Sequence, residues 1–293
     1  MTDIIELFTI NTSIQGKAHW ARILRKQYCS YLDRRCLKVR KSQPDISIGT
    51  CTVCYGREKK PVIICPHRLL EKNKIFTDCI HLLQLHEPGN EFHVVSEVTL
   101  PGGSVDYFLL SVKNGKVKDF VGIELQTLDT TGTVWPERQR YLQSQGLSVS
   151  PADVQSAKPF GMNWKMTAKT ILVQLHHKVE TLEKLGKHLV IVIQDEFLHY
   201  MKGEFSFDHI QGALLGNSMH FHSYAVTNGT TALHLDLAQR LSTDSAGIAR
   251  CLGLQAESSM ELADIISQLE GKISEKTLLS IFPGKTDEIT TTT

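Results

Sequence analysis

Several features that would assign this chain to a broad class are missing. It has no apolar run near membrane-spanning length; the longest is Leu189 to Ile193. Its start, MTDIIELFTI, lacks a basic segment followed by a long apolar stretch. A soluble, cytoplasmic protein is therefore expected. There is no internal repeat, and no low-complexity tract beyond the Thr-rich end. No Ser-His-Asp or phosphate-loop pattern appears, so neither motif directs the reading toward a serine hydrolase or a P-loop NTPase. What remains is an ordinary globular composition: 293 residues, 41% hydrophobic and 22% charged. A chain of this length buries a sizeable core without a disulfide framework.

The net charge of +1 is uninformative, but its distribution is not. Residues 1–75 carry 15 Lys/Arg against 6 Asp/Glu, and residues 76–293 carry 17 against 25, so +9 and −8 make up the total. A basic N-terminal quarter suits a polyanion, and an acidic remainder suits a cation-binding centre. The basic residues include Arg34, Arg35, Lys38, Arg40, Lys41, Arg57, Lys59 and Lys60. Contacts from such side chains to phosphates add salt-dependent affinity without sequence information.

Six of the seven cysteines lie between Cys29 and Cys79. In a reducing compartment such clustering points to metal rather than disulfides. Cys36, Cys51, Cys54 and Cys65 form the expected tetrahedral set for Zn or Fe, with Cys51-Thr52-Val53-Cys54 read as a tight knuckle. Cys29 and Cys79 compete with Cys36 for the fourth place.

Apolar spacing predicts a helix from about His67 to Leu85, closed by Pro88-Gly89. Three strands follow at 92–100, 104–112 and 117–127, the last two joined through Asn114-Gly115, a strong hairpin signal. Residues 128–160 read as irregular. A long helix runs from Asn163 to Gly186, then a buried strand over 187–194. A further strand is expected around 219–227 and a helix around 260–273.

Asp106 lies early in the second strand, and Glu124 and Gln126 lie two apart in the third, so the latter pair shares one face. A buried carboxylate is costly unless paired or bound to metal. Two carboxylates converging from one hairpin make a hard oxygen site suited to Mg²⁺, which polarises a phosphodiester and activates water. Glu91 and Glu97 are alternative candidates for a further acidic group. Arg138, Gln139 and Arg140, after the third strand, have the chemistry to read base edges, while Arg35, Lys38, Arg40 and Lys41 have the charge to grip phosphates. His220 and His222 share a strand face and read as surface or hydrogen-bonding histidines rather than ligands.

The order helix, Asp strand, tight turn, Glu-x-Gln strand, helix, strand resembles the core of the PD-(D/E)xK nucleases, with Gln126 where Lys is usual. Gln neither acts as a base nor carries charge, so its expected role is to orient water. More closely, the runs PGGSVDYFLLSVKNGKVKDFVGIELQTLDTTGT, KVRKSQPDISIGTCTVC and IICPHRLLE resemble the NotI-type restriction endonucleases over roughly residues 30–200. That resemblance implies an α/β (α+β) nuclease core with a mixed sheet flanked by helices and a small N-terminal module built on four cysteines. It implies a homodimer that cuts both strands of double-stranded DNA at a GC-rich palindrome using Mg²⁺, with a structural iron on the cysteines. The matching catalytic positions are Asp106, Glu124 and Gln126, with Glu91 preferred upstream. The expected organisation is a basic metal-clip region over 1–66, a catalytic core over 67–200 and a mixed extension over 201–293, packed on the core. The alternatives are a non-catalytic metal-clip DNA-binding regulator, invited by the missing Lys, and a repair or recombination nuclease of the same superfamily.

Overall fold

In the computed structural model, residues 3–155, 159–228 and 232–254 are described, together with Ile266, Ser267 and Glu270. Contacts divide the chain into residues 1–254 and 255–293. All elements below lie in the first unit; the expected helix around 260–273 falls largely outside the described residues.

A small antiparallel sheet forms near the N-terminus from β1 (Ile4–Leu7), β2 (Ile10–Asn11), β3 (Thr50–Tyr55) and β4 (Lys60–Ile63), in the order β2-β1-β3-β4. Between β2 and β3, helix α1 (Lys17–Lys26) buries Trp20. The large sheet holds β5 (Glu91–Leu100), β6 (Gly103–Lys113), β7 (Lys116–Leu125), β8 (His188–Gln194), β9 (Gln211–Gly212), β10 (Met219–Asn228) and β11 (Leu233–Thr243). Its order is β9-β11-β10-β8-β7-β6-β5. The sheet is mixed: β5, β6 and β7 form an antiparallel meander, and β7, β8 and β10 run parallel. The β6–β7 turn places Asn114 at φ 52 and Gly115 at φ 69, as a tight hairpin demands.

Seven α-helices occur among the described residues. The longest, α3 (Trp164–Lys184), follows α2 (Trp135–Ser144) and precedes α4 (Asp195–Glu204) and α5 (Ser245–Cys251). The central strand β8 is buried throughout. Leu189, Ile191 and Ile193 pack into the core shared with α3 and α4, and Val190 and Val192 into a second core with Leu69, Ile75 and Leu82. The period of two thus sends alternate residues to opposite faces of one sheet.

Two local expectations are corrected. The helix over His67–Leu85 is instead a series of short turns: a 3-10 segment at Pro66–Asn73, a helical turn at Lys74–Thr77 and another 3-10 turn at Ile80–Leu82. Glu71 is extended at ψ 120 and Lys72 is left-handed at φ 52, which breaks the helix. The reason lies in tertiary bonding. Arg68 and Glu71 pair at 2.8 Å, and Arg68 also reaches Glu6 at 2.8 Å and the Leu233 carbonyl at 2.8 Å. The stretch read as irregular holds α2, whose Trp135, Tyr141 and Leu142 are buried while Glu137 and Arg140 mask the pattern.

Candidate active site

Asp106 and Glu124 come together at the end of the meander where β6 begins and β7 finishes. The Asp106 carboxylate accepts a 2.8 Å hydrogen bond from the Leu125 amide, which fixes it beside the neighbouring strand. Glu124 is buried, and its Oε1 lies 2.7 Å from Nζ of Lys178, a buried residue of α3. Burial pushes the Glu124 carboxyl up to about 7; the Lys178 ammonium opposes that shift and the Asp106 charge adds to it. Gln126 falls one residue beyond β7, and its backbone amide still donates to the Val192 carbonyl at 3.0 Å. Its side chain donates to the Thr127 carbonyl at 2.6 Å.

The two further acidic candidates are far apart in register. Glu91 pairs with Val112, at the opposite end of β6 from Asp106, and bonds His93 at 3.3 Å. Glu97 falls between Ser96, which pairs with Tyr107, and Val98, which pairs with Val105, and is therefore opposite Asp106. The Glu97 backbone is left-handed at φ 57, and the pairing lapses there. A non-glycine residue held in that region carries strain of the kind found at functional sites.

Sequence reasoning missed two side chains of this neighbourhood. One is Lys178, which resembles any other lysine of a solvated helix until its register with the buried Ile171, Leu175 and Leu182 is noticed. The other is His67. Burial and Arg34 hold its pKa down while Asp106 draws it up, and its buried Nδ1 has no hydrogen-bond partner among the described residues.

The cysteines regroup. Cys51 and Cys54 lie within strand β3, not in a knuckle. Residues three apart in a strand face opposite ways. The free Cys51 thiol accordingly donates a hydrogen bond to the free Cys65, whose thiol is lowered to about 7 by that contact against the cost of burial and with help from Lys38. Cys29 and Cys36 are both within electrostatic reach of Cys65. Cys54 instead neighbours Asp3 and Lys59. Cys79 is in the second core, 3.7 Å from Nδ1 of His222. Among the described residues, no group of three or more His, Cys, Asp or Glu is arranged to hold a metal ion.

Most residues expected to touch DNA are engaged within the fold. Arg138 is buried against the Trp135 ring, 4.5 Å from its centroid, and donates to the Ile48 carbonyl at 2.7 Å and to Gln139. Gln139 is also buried, and Arg140 bonds Glu137 and the Val154 carbonyl. Arg40 pairs with Asp153 at 2.9 Å, Lys38 donates to the Ile64 carbonyl at 3.1 Å, and Arg35 donates to the Asp45 carbonyl. Lys41 is exposed. His220 and His222 are buried rather than on the surface, and burial lowers them to about 4 and about 3, so both are neutral at pH 7.

The family model for restriction endonuclease NotI matches residues 34–221, more than half of the chain. The chain belongs to the NotI restriction endonuclease family. It is a type II restriction endonuclease, a hydrolase acting on DNA. Comparison with curated proteins gives no match. The NotI match spans Asp106, Glu124, Gln126 and Lys178, and also Cys36, Cys51 and Cys65, whereas Cys29 precedes it. It runs from β3 through β8 and ends inside β10, so β11 and α5 lie beyond the NotI-matching region. No helix among the described residues is long and apolar enough to cross a membrane.

Proposed function

We propose that this endonuclease cuts double-stranded DNA with Mg²⁺ at Asp106 and Glu124, on a core of the PD-(D/E)xK kind. The observation that carries this reading is the convergence of the two carboxylates, with Glu124 buried against a cation. The donor set fits the ion. Mg²⁺ keeps several waters and is commonly held by one or two carboxylates plus substrate phosphate, so it needs no cage of three protein ligands. When bound, it would polarise the scissile phosphodiester and lower the pKa of the attacking water. Asp106 is pre-set by the Leu125 amide, and Gln126 stands two residues beyond Glu124 to orient that water. The test is a plasmid digest with Mg²⁺ against EDTA. Discrete bands only with Mg²⁺ support the reading. Binding without cutting favours a regulator, and structure-dependent nicking favours a repair enzyme.

Double-strand cleavage needs two such centres, which a two-fold homodimer supplies with the symmetry of a palindrome. The GC-rich character of that palindrome rests on the NotI resemblance alone.

Gln126→Ala is expected to slow cleavage more than about tenfold, and Gln126→Glu to retain partial activity, in single-turnover digests. An alanine variant with the wild-type rate would place Gln126 outside the chemistry.

We further propose that the cysteines hold one structural Fe or Zn, with Cys29, Cys36, Cys51 and Cys65 as the candidate donors. They are not arranged as a closed site among the described residues, and the reading rests on their soft chemistry and on Cys29, Cys36 and Cys51 lying within electrostatic reach of Cys65. Metal analysis is expected to find about one such ion per chain. Cys65→Ser should lose it, and Cys54→Ser should keep it. The opposite pattern would restore Cys54 to the set.

A further inference from the structure

The proposed centre carries a charge deficit. Two carboxylates, one divalent cation and one phosphodiester sum to −1. A lysine in the third strand would bring that to zero, but Gln126 stands there. During in-line attack the phosphate gains further negative charge, so the shortfall falls where stabilisation matters most. The structure holds a cation at this place from a different element. Lys178 projects from α3, its side chain 7% exposed, with Nζ 2.7 Å from Glu124 Oε1.

Its surroundings are shaped for it. The turn Pro101-Gly102-Gly103 leads into β6 and presses against α3. A Cβ on Gly102 would meet the His177 backbone at 2.9 Å, and one on Gly103 would lie 3.3 Å from Lys178 Cε. Thr181 clasps the same turn, donating to the Pro101 carbonyl at 3.0 Å. Both glycines have positive φ, so the backbone bends over the lysine stem where a side chain would crowd it. A buried ion pair of this kind adds little stability over an apolar pair of similar volume, which makes a purely structural purpose a poor reason for it.

We propose that Lys178 is a positioning residue of the centre, bringing from the helix, through its pair with Glu124, the positive charge that Gln126 lacks. This rests on the reading of Asp106 and Glu124 as the catalytic pair.

The experiment compares K178M, K178R and K178Q with wild type at pH 8. Three readouts are taken: single-turnover cleavage of a plasmid that the wild type linearises, DNA affinity, and Mn²⁺ binding to the DNA-free protein by calorimetry. K178M is expected to cleave at least about 30-fold more slowly, with DNA affinity within about threefold of wild type. Its Mn²⁺ affinity should rise at least about threefold, because the competing ammonium is gone. K178R should cleave at least about tenfold faster than K178M. Circular dichroism checks folding, and K178Q is measured in place of K178M where the latter is unfolded. Cleavage by K178M at a rate close to wild type would overturn the proposal. So would equal loss in K178M and K178R, or a joint fall in metal affinity and rate, which marks a mere brace. The underlying reading fails separately, if Asp106→Ala still cleaves.

Discussion

Asp106→Ala is expected to lower the single-turnover cleavage rate by at least about a thousandfold while leaving DNA affinity within a few-fold of wild type. The substitution removes one of two carboxylates proposed to hold the metal that activates water, a contribution worth several kcal/mol of barrier. It removes little of the fold, since Asp106 is only half-buried and its carboxylate bonds one amide. Loss of a negative charge beside the phosphate favours DNA binding, so affinity should hold or tighten. Parallel digests and equilibrium binding in Ca²⁺ separate the two quantities. An alanine variant that cuts at close to the wild-type rate removes Asp106 from the centre.

Arg68→Met is expected to destabilise the protein by about 3–5 kcal/mol, the range for stripping one partner from a buried ion pair. The Arg68 guanidinium is wholly buried and touches three separated parts of the chain: Glu6 of β1, Glu71, and the Leu233 carbonyl at the start of β11. Removing it strands two carboxylates. Glu6 keeps Tyr31 at 2.8 Å and Thr52 at 2.7 Å as donors, and Glu71 keeps the Leu235 amide and His234, so the loss is severe without being total. For a unit of this size the drop corresponds to roughly 10 °C in Tm. Thermal melts of Arg68→Met beside Lys113→Met, whose partner Glu87 is exposed, give the contrast. The surface variant should change by less than about 1 kcal/mol. Equal melting of the two would mean that the buried network contributes nothing beyond a surface pair.

The meander was legible because its first strand alternates in sequence, its second is β-branched and aromatic, and Asn114-Gly115 marks the turn between the second and the third. Hairpin logic set the Asp strand beside the Glu strand, whereas Gln126 falls one residue beyond β7 and its side chain turns to the Thr127 carbonyl. Lys178 was hidden because helical lysines are usually solvated, and only the apolar register of its neighbours distinguishes it. Cys51 and Cys54 do not form the knuckle expected of them, for a definite reason. A Cys-x2-Cys spacing suits a knuckle, but β-branched Thr52 and Val53 carry the segment into a strand, which turns Cys54 away. The His67–Leu85 helix failed because a buried Arg–Glu network outweighed helical hydrogen bonding, a tertiary effect invisible to local periodicity. Arg138 and Gln139 look like base readers by residue type alone, and only the Trp135 ring and the Ile48 carbonyl reveal their place inside the fold.

The proposed centre is assembled from β6, β7 and α3, and β7 is held in the sheet by β8 through the Gln126 amide and the Val192 carbonyl. Synthesis runs in the other dimension, from one end. A nascent chain that has emerged only as far as the Glu-x-Gln strand has both carboxylates but neither Lys178 nor the neighbouring strand that flanks them. Truncated products ending before Lys178 are therefore expected to leave uncut a plasmid that the whole chain cleaves.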